Sequence, residues 1–360
     1  HFDLISIKTS HFTVDRKLFI FNSHFYSIQT LCRFRISKPL IFVEDAQTGE
    51  KLPHQVIPVW SSFSKIASTD YEIVFTPKLS PLSITTFNLH ISDTGPNNES
   101  KSAVDLFLTD YLNSHSVKNK FHRHYQTVFT VKDPPLKDIE LSSPYFIAIF
   151  DSSTGFLKQI VDKKTQKKRK LSLNLYYYKS TDGLSGAYLF RTITDEPFII
   201  LDPYPSIKLV TGSIFSELYV KYLNAFEIIF RVYNTESPIG AAVYIETRVD
   251  VSNKDNYIDK EIVIRFESEI KNYHEKYSSQ IFYTDSNGFQ SIPRLFNPES
   301  GIMGNYYPVT SYTYIEDDKS RLTFLTSCSH GASSPKLGSI EVMLDRRIGY
   351  DDSRGLSEPL

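Results

Sequence analysis

Three groups of residues carry side chains whose types and spacing could do chemistry. His122-Arg123-His124 sets two imidazoles at i and i+2. On a strand those positions share a face, so the pair could grip one metal ion, although no third ligand stands nearby in sequence. Two solvated loop histidines are the plainer account. Carboxylates come next: Asp285, the pair Asp317 and Asp318, then Asp345, Asp351 and Asp352, all near turn residues. Two carboxyl groups about 5–5.5 Å apart can cleave a glycosidic bond with retention. Spacing along the chain selects no such pair, and aspartate at a turn serves turn geometry first. The third group is aromatic and polar at once: Ser185-Gly186-Ala187-Tyr188-Leu189-Phe190 and Tyr283-Thr284-Asp285-Ser286-Asn287-Gly288-Phe289-Gln290. Tyrosine offers a ring to the C–H face of a sugar and a hydroxyl to its oxygens. A turn followed by a core tyrosine has the same composition.

Several chemistries are excluded. No Gly-x-Gly-x-x-Gly or Walker pattern follows a strand-like segment, and no Gly-x-Ser-x-Gly elbow occurs. The two cysteines, Cys32 and Cys328, are too far apart for a Cys-x-x-Cys motif, and whether they pair is open. A net charge of −1 and a pI near 6.9 leave no electrostatic footprint for nucleic acid. The basic run from Lys163 to Lys170 reads as a solvated turn. No apolar stretch reaches the roughly 20 residues of a bilayer span. No signal peptide is visible. The chain opens at His1 directly into a strand-like pattern, which reads as a fragment or a processed piece of something longer. Asn98-Glu99-Ser100 is an acceptor triplet for glycosylation at Asn98, mild support for a secretory lumen.

The elements that must position these groups are strands. Aromatic residues make up 14% of the 360-residue chain, 26 Phe and 23 Tyr against 1 Trp, and that bias favours pleated, half-buried surface. Short strands are expected at Thr13 to Phe21, Leu40 to Glu44, Gln55 to Trp60, Tyr71 to Thr76 and Thr85 to Ile91. The polar run from Ser92 to Ser102 contains Gly and Pro and no apolar residue, so it reads as a linker. Beyond it, Tyr145 to Phe150 and Gly155 to Val161 flank Asp151-Ser152-Ser153-Thr154 as a hairpin. Val243, Ile245, Thr247, Val249 and Val251 alternate with polar neighbours, and so do Ile262, Ile264 and Phe266 against Glu261, Arg265 and Glu267. Period two predicts one buried and one wet face. The expected fold class is all-β with almost no helix. The expected domains are a small β-sandwich over 1–92, a linker or ambiguous segment over 93–124, and a large antiparallel region over 125–360.

At these segments the chain resembles the C-terminal half of the α-mannosidases of glycoside hydrolase family 38. The resemblance runs through Ser185 to Phe190, Phe282 to Gln290, Gly304-Asn305-Tyr306-Tyr307-Pro308-Val309, Tyr314 to Asp318, Arg321 to Ser334, and Glu341 to Arg347. It closes at Asp351-Asp352-Ser353-Arg354-Gly355-Leu356-Ser357-Glu358-Pro359-Leu360. It implies a small β-sandwich followed by a supersandwich of the galactose-mutarotase-like kind, and a part in retaining, zinc-assisted removal of α-linked mannose from N-glycans. The nucleophile, the acid/base and the zinc ligands of such enzymes belong to an N-terminal portion that this chain lacks, so no catalytic or metal residue is assigned here. Tyr188 matches a tyrosine that reaches mannose hydroxyls, Arg294 matches an arginine at the pocket rim, and Asp285 stands with them as a substrate-binding candidate. Asp345, Arg346, Arg347, Asp351, Asp352 and Arg354 read as an ion network between domains. The implied partners are the N-terminal catalytic chain or domain and mannose-containing glycans, with a homo-oligomer left open. The implied compartment is the lysosome or secretory-pathway lumen, the Golgi lumen or secretion being alternatives. A non-catalytic mannose-binding or scaffold protein derived from a mannosidase is the rival reading.

Overall fold

The computed structural model describes residues 15–63, 65–91, 105–109, 129–131, 137–181, 184–251 and 257–355. His122, His124, Asn98, the polar run from Ser92 to Ser102 and the closing residues from Leu356 lie outside them. The fold is all-β: strand follows strand, and helix among the described residues is limited to short 3₁₀ turns such as Pro238–Ala241 and Ile302–Asn305. The chain divides into two compact units. One comprises His1–Ile147, Pro205–Lys221 and Ile228–Glu246; the other comprises Ala148–Tyr204, Tyr222–Glu227 and Thr247–Leu360.

In the first unit, Arg16–Asn22, Ser83–Ile91 and Ile41–Asp45 pair antiparallel in that order, and Cys32–Ile36, Lys65–Phe75 and His54–Ser62 form a second antiparallel sheet. Period two drives both. Phe34 and Ile36 turn inward while Arg35 stays exposed, and Phe87 and Leu89 do the same on their strand. Their inward faces share one core with Val43, Ile73, Val74 and Phe75. Two buried polar groups organise this unit. The Gln55 carboxamide oxygen accepts the N–H groups of Ile214 and Phe215, each at 3.0 Å, and its nitrogen donates to the Phe215 carbonyl. A Cβ at Gly212 would lie 2.2 Å from that carboxamide, so glycine is required there. Glu217, fully buried, accepts from Arg33 at 3.0 Å, Arg231 at 2.5 Å and Tyr219 at 2.5 Å. Burial alone would push its carboxyl up, but the two guanidiniums and the phenol hold it down at about 2.

The second unit is built on a long antiparallel sheet in which Leu157–Asp162, Lys168–Lys179, Lys260–Ser268, Ser339–Arg347, His330–Ser333 and Tyr307–Val309 follow one another. A smaller sheet orders Tyr273–His274, Ser279–Ser286, Tyr312–Asp317 and Ser320–Leu325, with Gln290–Leu295 paired to Ser279–Ser286. The expected Asp151 hairpin turn is present: the carboxylate caps the N–H groups of Ser153 and Thr154 at 2.9 and 3.0 Å. Of the basic run, only the first part is a turn; Lys168, Arg169 and Lys170 open a strand.

Two expectations from period two fail, in opposite directions. Val243–Val249, the last strand of its sheet, fully buries neither face: its residues are half-buried apart from the exposed Arg248. Lys260–Ser268 buries both: Glu261 and Arg265, expected in water, are each 2% exposed. Its second face is covered by the side chains that meet it: Arg346 against Glu261, and Glu341 and the Tyr178 phenol against Arg265.

Candidate functional site

The strand Lys168–Lys179 leads into the segment that carries Tyr188. Ser180 bridges to Thr192, and the Thr181 N–H donates to the Arg191 carbonyl at 2.9 Å, so the segment leaves and returns as a closed loop. Ser185 staples it from inside. Its hydroxyl donates to the Arg191 carbonyl at 2.6 Å and accepts the Arg191 N–H at 3.0 Å. Asp352 supplies the next tie, accepting the N–H groups of Tyr188 and Leu189 on one carboxylate oxygen at 2.7 and 2.9 Å. Burial opposes the charge on Asp352, but the Tyr188, Leu189 and Arg354 N–H groups more than compensate and hold its carboxyl below the usual range. A Cβ on Gly186 would sit 2.6 Å from the Asp352 nitrogen, so this approach needs glycine.

On the far side of Tyr188 the loop is anchored by an aromatic and an arginine. Phe190 packs edge-on to Tyr178 and Tyr306, with centroids 5.8 and 5.3 Å away. Both phenols donate to Glu341, Tyr178 at 2.7 Å, and Arg265 Nε donates to the other carboxylate oxygen at 2.6 Å. Arg346 Nη2 donates to the Leu189 carbonyl at 3.1 Å and lies 2.6 Å from Glu261. Burial pushes the Glu261 carboxyl up to about 7, against the pull of Arg346. Tyr188 itself projects outward with 62% of its surface exposed, and its hydroxyl meets no partner among the described residues. A fixed backbone with a free phenol is a preorganised contact.

Arg294 stands on Gln290–Leu295, opposite Phe282. Its Nε donates to the Thr284 hydroxyl at 3.0 Å and its guanidinium lies 4.6 Å from the Tyr307 ring centroid. Among the described residues no carboxylate pairs with it, so its outer N–H groups remain available to an oxygen-rich ligand. Asp285 differs. It accepts the N–H groups of Gly288, Thr310, Ser311 and Tyr312 at 2.7, 2.8, 3.0 and 3.2 Å, and the Thr310 hydroxyl as well. Burial opposes its charge, and these donors overcome it and hold the carboxyl far below the usual range. It bolts the Asn287-Gly288 hairpin, whose two tip residues have φ of 50° and 73°, to the 310–312 turn. Among the described residues no hydrogen bond, ion pair or ring contact joins Tyr188 to Arg294 or Asp285.

Of the acidic and basic residues expected to form an ion network between domains, Arg346, Arg347, Asp351 and Asp352 make contacts inside the second unit. Arg346 takes Glu261 and Leu189, Arg347 donates to the Val251 carbonyl, and Asp351 and Asp352 cap the N–H groups of Ser353 and Arg354. Sequence reading missed the Glu341 cluster and the Glu261–Arg346 pair. The only signal was charge inside the apolar run Ile262-Val263-Ile264-Arg265-Phe266, where an arginine among β-branched neighbours marks a buried partner as readily as a wet face. Both cysteines are free thiols. Among the described residues no group of three or more His, Cys, Asp or Glu side chains could hold a metal ion.

The "Glycosyl hydrolases family 38 C-terminal domain" matches residues 141–354, which include Tyr188, Asp285 and Arg294. The chain belongs to glycoside hydrolase family 38. It is 30% identical to alpha-mannosidase 2 of Homo sapiens over 95% of its own length and 28% of that protein, and 29% identical to alpha-mannosidase 2 of Spodoptera frugiperda over 95% of its length and 30% of that one. Lysosomal alpha-mannosidase of Mus musculus is 31% identical over 61% of the chain. The crystal structure of an alpha-mannosidase from Enterococcus faecalis V583 superposes with a TM-score of 0.57 at 13% identity, covering 96% of this chain and 41% of that one. At that identity the likeness concerns the fold. This family 38 chain thus corresponds to the C-terminal, β-rich portion of its relatives and spans about three-tenths of the length of the alpha-mannosidase 2 proteins.

Proposed function

We propose that this chain works as the C-terminal part of a retaining, zinc-dependent α-mannosidase that trims α-linked mannose from glycoproteins. In this reading it closes one side of the active-site pocket and meets the sugar with Tyr188 and Arg294. The observation that carries the reading is the loop inside the family match: Tyr188 keeps a free, exposed phenol while Asp352 and Arg346 fix the backbone beside it and Phe190 packs its next turn. Asp285 serves here by shaping the turn, since its oxygens are already engaged. In this reading the metal and the nucleophile belong to the N-terminal portion. The same loop region leaves Leu184, Ile193 and Leu201 exposed, apolar surface suited to being covered by that portion. The proposed compartment is the lysosomal or secretory lumen, where Asn98 would be glycosylated.

The test is Tyr188→Phe in the complete enzyme, assayed on an aryl α-mannoside. Losing one hydroxyl contact to a sugar oxygen should cost ~1–3 kcal/mol in kcat/KM, roughly five- to 150-fold. Unchanged kinetics would remove Tyr188 from the site. A complete protein that binds mannose without hydrolysing it would favour the non-catalytic binding reading.

A further inference from the structure

Cys328 and His330 form a pair outside everything described above. Cys328 is exposed, and its Sγ lies 3.3 Å from His330 Nε2. His330 is half-buried, with Nδ1 2.9 Å from the Met343 carbonyl oxygen. A carbonyl only accepts, so Nδ1 of the neutral ring carries the hydrogen and Nε2 turns its lone pair to the thiol. The backbone holds this arrangement. His330 opens the strand His330–Ser333 opposite Val309, and Met343 belongs to the adjoining strand Ser339–Arg347. A nucleophile within reach of a base that a third group orients is the arrangement that activates a thiol.

The chain supplies its own contrast. Cys32 is a free thiol as well, but burial pushes it up to about 12, and no base contacts it among the described residues. One cysteine is therefore inert and the other exposed and paired.

We propose that Cys328, with His330 as its base, is a reactive-thiol site that takes small, water-soluble organic disulfides by thiol–disulfide exchange. The Sγ proton passes to His330 Nε2 and the thiolate attacks one sulfur of R–S–S–R. The Cys328–S–S–R bond forms as the original S–S bond breaks, and the departing R–S⁻ takes the proton from the imidazolium. One disulfide replaces another, so no further oxidant enters, and a free thiol reverses the step. Ser327 and Ser329, both exposed, flank the sulfur with small polar groups that leave it open to such a reagent.

The experiment treats the full-length protein with 2,2′-dithiodipyridine at pH 7 and assigns the modified cysteines by peptide mass spectrometry over time. Cys328 should react about tenfold or more faster than Cys32. His330→Gln, which can still donate to the Met343 carbonyl but carries no base, should slow Cys328 by about tenfold or more. In His330→Ala, added imidazole should recover part of the lost rate, an effect that a merely structural histidine would not show. An unchanged Cys328 rate in His330→Gln with its melting temperature preserved, no imidazole recovery, or a Cys328 rate no faster than that of Cys32 would each overturn the proposal.

Discussion

Asp352 and Asp285 show what a carboxylate near a turn does in this protein. Each was a candidate for chemistry by residue type, and each spends its oxygens on backbone N–H groups. Removing such an acceptor strands donors in a partly dry setting, which costs about 1–3 kcal/mol per group. Asp352→Ala should therefore lower the urea-unfolding midpoint, and should also weaken catalysis in the complete enzyme by releasing the Tyr188 backbone. Asp352→Asn, with one acceptor oxygen left, should fall between. If Asp352→Ala matches the wild type in both measurements, the clamp on Tyr188 is not what positions that residue.

Strands were the most legible elements and their surroundings the least. Leu40 to Glu44 was expected and Ile41–Asp45 is found; Gln55 to Trp60 was expected and His54–Ser62 is found. Alternation marks a strand because successive side chains point to opposite faces. It does not say what packs over each face, and that decides whether the second face is wet. Lys260–Ser268 is the case in point, since Ser339–Arg347 brings Glu341 opposite Arg265. The Tyr188 loop was found by resemblance, whereas its supports, Asp352, Arg346 and Glu341, come from more than 150 positions downstream and meet it only through the sheet. The element-scale prediction concerns the Arg265–Glu341 pair. Glu341→Leu leaves a buried guanidinium uncompensated and should cost about 3–5 kcal/mol, while Arg265→Met with Glu341→Leu should recover most of it. Urea unfolding of both variants measures the difference. Equal losses would mean that the tyrosines, not the ion pair, dominate the cluster.

Across the whole molecule the buried acids pull stability in opposite directions with pH. Glu217, held near 2, contributes stability that is present above its unfolded value of about 4.5 and is lost as pH falls through 2; Asp285, also lowered, acts in the same sense. Glu261, raised to about 7, contributes stability that is present below about 4.5 and is lost as pH rises through 7. His54, lowered by burial, loses stability as pH falls below its ordinary 6.5, and so opposes Glu261 over part of that window. The two overlap, so the Glu261 effect must be read as a difference. The urea midpoint of wild type minus that of Glu261→Gln should fall steadily from pH 4.5 to above pH 7, by an amount on the order of 2–3 kcal/mol in unfolding free energy. His54 contributes equally to both proteins and cancels. A flat difference would mean that Arg346, 2.6 Å away, already keeps Glu261 charged throughout. A falling one would mean that the carboxyl beneath the Tyr188 loop is neutral at mildly acidic pH, leaving Arg346 to the Leu189 carbonyl alone.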